Sequence, residues 1–173
     1  MKAILMSIKP QHVANILNEL KTLEIRKRFP SDYVGWVYIY CTKGKPEFYF
    51  NNRKSFVDIG EQLPTINGRV VARFWCDRVI DFFCYNNDLL KQACLTEDEL
   101  LDYLGDKDGY AIHITKLEIF DYPKEINVFN VMRVYTNCDS CPHSLEYGCS
   151  SNGWCGTIKP LTRAPQSWCF IEI

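Results

Sequence analysis

The sequence predicts a mixed α+β domain, a small β-barrel with flanking helices. Three observations carry this. Strand-like segments outnumber helical ones, about five or six against two. The two kinds do not alternate regularly, as a doubly wound parallel sheet requires. One stretch, at about 136–157, is rich in cysteine and glycine and lacks apolar periodicity, so it reads as a loop insertion.

The elements follow in chain order. Residues 2–8 read as a short strand with mixed faces. Pro10 suits the first turn of a helix, where its missing N–H costs nothing. Val13, Ile16, Leu17 and Leu20 then form one apolar stripe, which predicts a helix of about three turns. The period changes at once to alternation. Thr22, Glu24 and Arg26 share one strand face, with Leu23 and Ile25 on the other, and Pro30 ends the segment. Residues 34–41 are β-branched and aromatic, as in a buried strand. After the Asn67–Gly68 turn signal, one long or bent strand runs into the 80s. Thr96 and Glu99 form a capping box that opens an acidic helix through Leu104, with Gly105 as its stop. Residues 109–120 alternate again, and 168–173 form the last strand.

A chain of 173 residues, 47% of them hydrophobic, suits one domain spanning 1–173 and excludes a disordered chain. With 20 basic against 21 acidic residues and a net charge of -1, no global field attracts a polyanion. Long non-specific duplex binding is disfavoured, so a nucleic-acid partner must be held locally or be small. The N-terminus lacks a signal-peptide pattern, and no segment has the length to span a bilayer. The expected location is the cytoplasm.

Of the nine cysteines, Cys41, Cys76, Cys84, Cys94 and Cys169 stand singly among apolar residues and read as small buried hydrophobes. The other four are Cys138, Cys141, Cys149 and Cys155, with His143 nearby. Four thiolates are the usual set for a closed tetrahedral site, and a metal would order a stretch that cannot order itself. Structural zinc is the expected cofactor. An iron–sulfur cluster also takes four cysteines, and disulfides are the further alternative.

The junction of the first helix and the next strand resembles a known family. ASCH domains, of the PUA-like superfamily, carry a GxKxxExR motif there. Lys21, Glu24 and Arg26 stand in that spacing within ELKTLEIR, and Glu19 occupies the glycine position. SIKP at 7–10, GRVVAR at 68–73 and the ending RAPQSWCFIE at 163–172 are also similar to the family, the last to small phage and bacterial members. The resemblance implies a small β-barrel of the PUA type, a cleft beside the first helix and an RNA-related role. In that cleft Lys21, Thr22, Glu24 and Arg26 would meet the ligand, with Ser7 and Lys9 nearby. Gln166, Ser167 and Trp168 would lie beside them, Gln166 reading a base edge and Trp168 stacking on it.

The residue types fit such a ligand. A cation holds a phosphate or carbonyl oxygen, while a carboxylate accepts from a base amino group. The same spacing also suits an exposed ion-pair strip. Arg26, Lys27 and Arg28 make a short basic run. Lys43, Lys45, Arg53 and Lys54 make another, interleaved with Phe48, Tyr49 and Phe50, as suits a single strand. The expected function is RNA or nucleotide binding.

One alternative is a hydrolase acting on a modified nucleoside, with Lys21 and Glu24 catalytic. One family subgroup removes the acetyl group of N4-acetylcytidine with a Lys, a Thr and a Glu. Its Lys corresponds to Lys21; Glu24 stands at its Thr position, and its Glu has no matched position here. Another alternative is a regulatory adaptor that binds a protein. His12 and His113 are isolated in sequence and are given no role.

Overall fold

The computed structural model describes residues 2–45, 65–82, 86–135 and 155–173. Its strands are β1 (Lys2–Ile8), β2 (Leu23–Arg26), β3 (Gly35–Cys41), β4 (Val70–Phe82), β5 (Gly109–Lys124), β6 (Asn130–Tyr135), β7 (Cys155–Pro160) and β8 (Trp168–Glu172). Its helices are α1 (Pro10–Leu17), α2 (Asn87–Ala93) and α3 (Glu97–Leu104), with a 3-10 turn at Ile126–Val128. The fold is mixed α+β, as expected.

The strands form one sheet in the order β2-β5-β4-β3-β1-β8-β6-β7. Only β1 and β3 pair in parallel; the other neighbours run antiparallel. Among the described residues β2 and β7 end the sheet, so the expected barrel is not closed here. Register shifts interrupt β4 and β5 between Val70 and Ala72, Arg73 and Trp75, and Cys76 and Val79. Bulges of this kind bend a strand and raise its twist. β5 runs on to Lys124, beyond the alternating stretch 109–120 read from the sequence.

β1 is central, and this explains its mixed pattern. Ile4, Met6 and Ile8 face one core with Val13 and Ile16 of α1 and Val37, Ile39 and Phe74 of the sheet. Ala3 and Leu5 face a second core with Tyr38, Tyr40, Val70, Phe129 and Ile171. A third cluster joins Leu23 and Ile25 to Leu90 and Ala93 of α2 and to Leu100 and Leu104 of α3. Alternation then sends Glu24 and Arg26 to the opposite side of β2.

α1 is shorter than the apolar stripe suggested. It ends at Leu17, Asn18 caps it, and Leu20 is 63% exposed. Glu19 turns the chain with φ of 59°. The N–H groups of Leu20 and Lys21 both donate to the carbonyl of Asn15, at 2.9 and 3.1 Å. This turn brings Lys21 inward. The capping box of Thr96 and Glu99 and the Gly105 stop are as read from the sequence.

Cys41 and Cys76 are buried, and burial pushes their thiols up to about 12 and about 11, which leaves them inert. Cys94 and Cys169 are half-buried, and Cys84 lies outside the described residues. No described helix is long and apolar enough to cross a membrane.

Candidate functional site

Three charged side chains from the first helix–strand junction lie in a buried row. Lys21 is 2% exposed, Glu24 5% and Arg26 8%. The Arg26 guanidinium donates to Glu24 Oε1 at 2.8 Å, and Lys21 Nζ lies 3.5 Å from Glu24 Oε2. Two cations thus share one carboxylate, so the row carries a net positive charge. Burial alone would raise the Glu24 carboxyl, but Lys21 and then Arg26 outweigh it and hold the group below its ordinary range.

Each end of the row is tied to backbone. Lys21 Nζ donates to the carbonyl of Ala93, at the end of α2. That carbonyl is one of the unpaired acceptors a helix leaves at its C-terminus, where the dipole also favours a cation. At the other end Arg26 donates to the carbonyl of Ser7 at 2.8 Å. The Ser7 N–H donates to the carbonyl of Ser167 at 2.8 Å, and its hydroxyl to the carbonyl of Pro165 at 2.7 Å. A continuous polar path therefore runs from α2 through β2 and β1 to the segment before β8.

Among the described residues, His12 Nδ1 and Arg26 Nε lie beside this path buried and without a hydrogen-bond partner. Burial first, then the Lys21 ammonium, lower the pKa of His12 and keep its ring neutral, although Glu24 pulls the other way. His12 was given no role from sequence. Its proximity depends on the early end of α1 and the Glu19 turn, which no local periodicity announces. Ala93 was missed because α2 was.

The other sequence candidates divide. Ser7 and Ser167 join the path through backbone and hydroxyl bonds. Thr22 is half-buried, and its N–H and carbonyl bond Gln92 and Ile114, each at 2.9 Å. Lys9 is exposed and serves α1 through its carbonyl, which accepts from His12 and Val13. Gln166 is exposed. Trp168 is half-buried; its Nε1 donates to the Arg28 carbonyl at 2.7 Å and its ring meets Phe29 edge-on at 5.6 Å.

The row is a covered polar floor and not an open wall. A shallow depression of about 410 Å³ lies between α2 and α3, lined in part by Leu90, Cys94, Thr96 and Glu99. It abuts the α2 end that holds Lys21, but none of the three charged residues lines it.

Cys138, Cys141, Cys149 and His143 lie outside the described residues. Cys155 opens β7 opposite Tyr135, so the β6–β7 pairing brings the ends of the cysteine segment together. Among the described residues no group of His, Cys, Asp or Glu could hold a metal. Lys43 and Lys45 are exposed, while Phe48, Tyr49, Phe50, Arg53 and Lys54 lie outside the described residues. His113, also given no role, binds Asp77 at 2.6 Å on the half-exposed bend of β4.

Among solved structures, the fold is similar to the ASCH protein of Zymomonas mobilis. The match has a TM-score of 0.50 and 19% identity, and covers 71% of this chain and 73% of that one. Two single-residue variants of the same protein match with TM-scores of 0.49 and 0.48 and identities of 16% and 18%. They cover 71% and 70% of this chain and 75% and 72% of theirs. No family model and no curated protein matches the chain.

Proposed function

From a chain with the fold of an ASCH domain, we propose a protein that binds RNA or a nucleotide beside α1, over the Lys21–Glu24–Arg26 row. The observation that carries this reading is the surplus charge. Two buried cations share one buried carboxylate, and the Arg26 Nε donor has no partner among the described residues. Buried charge is costly unless it is paired and bonded. A ligand with an anionic oxygen seated over this covered row offsets its positive charge from outside. Exposed Gln166 and half-buried Trp168, in the segment joined through Ser7 to Arg26, would meet the base.

The test is the affinity of the Lys21→Ala, Glu24→Gln and Arg26→Lys variants for a short RNA and for nucleoside monophosphates. Circular dichroism first establishes that each variant keeps its fold. Arg26→Lys retains the charge but loses the Nε donor and the planar fork. Affinity should fall about tenfold or more, the scale of one lost bond to a charged group. Unchanged binding in all three folded variants removes the site. Incubation with N4-acetylcytidine, followed by chromatography for cytidine, separates binding from hydrolysis.

A further inference from the structure

The end of the molecule built from α2 and α3 differs in charge from the rest. Residues 86–108 carry seven acidic side chains and two basic ones, a balance of -5 in a chain whose net charge is -1. All nine are exposed. Among the described residues no ion pair engages Asp88, Asp98 or Asp102. A field of this sign repels a polyanion and attracts a basic partner.

The same end has an apolar groove. Leu90, Cys94 and Leu95 line the depression of about 410 Å³, together with Lys91 and Glu99. Leu90 belongs to the core cluster under α2 and α3, so the groove floor is fixed. On α3, Glu99 and Asp102 are three residues apart and share a face, which carries the acidic surface from the groove outward. Asp98, Leu101 and Asp102 continue it at helical spacing. Leu101 is 47% exposed there, whereas Leu100 and Leu104 on the inner face are buried against Leu23 and Ile25. The helix thus keeps one outer leucine, among carboxylates, beside an apolar recess.

We propose that this groove docks a basic, amphipathic segment of a partner protein. An apolar side chain of the partner lies over Leu90 and Leu95, and its Lys or Arg side chains face Asp98, Glu99 and Asp102. Charge complementarity selects this occupant, since an acidic segment would meet like charge on every side but Lys91. The apolar floor supplies the anchor that charge alone lacks, as where an amphipathic helix lies in a groove. The inference stands on α2 and α3 and is independent of the ligand read above.

The experiment titrates the protein with a synthetic peptide that carries leucines on one helical face and lysines on the other. One analogue replaces the leucines with serine, and a second replaces the lysines with glutamate. The leucine–lysine peptide should bind and move the NMR amide signals of Leu90, Cys94, Thr96 and Glu99. The serine analogue should bind at least about tenfold more weakly, and the glutamate analogue not at all. Asp102→Lys, an exposed change in the last turn of α3 that circular dichroism checks for fold, should weaken the leucine–lysine peptide about fivefold. No binding of that peptide overturns the inference. So does equal affinity for the serine analogue, which would make the contact one of charge alone, or shift changes confined to other surfaces. A wild-type dimer that Asp102→Lys dissociates, with no peptide bound, assigns the groove to a second copy of the chain. A short RNA that moves the same four amides assigns it to nucleic acid, and either result overturns the inference.

Discussion

Arg26 holds one oxygen of Glu24 at 2.8 Å while Lys21 stands 3.5 Å from the other. The carboxylate is the hinge of the row, and each cation is anchored beyond it, to Ser7 or to Ala93. Removing the carboxylate leaves two buried cations facing each other. Glu24→Gln should therefore destabilise the domain by about 3–5 kcal/mol, as expected when one partner of a buried pair is lost. Glu118→Gln is the control, because Glu118 is about half exposed where it meets Arg73 at 2.7 Å. That change should cost under about 1 kcal/mol. Urea unfolding of both variants measures the contrast.

Acid should destabilise the protein in two stages. His12 has a folded pKa below its ordinary 6.5, so the unfolded chain binds a proton that the folded chain refuses. Its contribution is complete above 6.5 and declines as pH falls toward the folded value. Glu24 is likewise lowered from 4.5, and its contribution declines below that pH. A plot of unfolding free energy against pH should bend first near 6.5 and again below 4.5. His12→Gln should remove the first bend and keep the second. A wild-type profile flat from pH 7 to pH 5 contradicts the account of His12.

Glu19 occupies a left-handed conformation, with φ of 59°. A side chain there costs roughly 1–2 kcal/mol, whereas glycine adopts it freely and loses about 0.5–1 kcal/mol through the unfolded chain. Glu19→Gly should therefore raise stability by up to about 1.5 kcal/mol. A clear loss in thermal or urea melts contradicts the strain at this turn.

For Cys138, Cys141, Cys149 and Cys155 we propose structural zinc. Purified protein should contain about one zinc per chain, and a chelator should lower its melting temperature. Elemental analysis that finds no metal in stable protein rejects the assignment.

Much of the fold was legible where local chemistry is strong. The Thr96–Glu99 box and Gly105 fixed α3, and Leu23 and Ile25 alternate because they face α2 and α3. α2 was missed although Asn86 caps it, because it ends at Cys94 with φ of 50°, a stop that glycine usually marks. β6 and β7 were missed because their outward residues Met132 and Ile158 are apolar and hide the alternation. The charged row itself was legible as a spacing. Its burial, its anchors and His12 were not, because they arise from contacts between distant segments.

The most direct measurement is an NMR titration of the wild type with a short RNA. The account predicts shift changes concentrated at the amides of Ser7, of residues 21–26 and of residues 166–168. Changes confined to other surfaces, with these amides unmoved, contradict it.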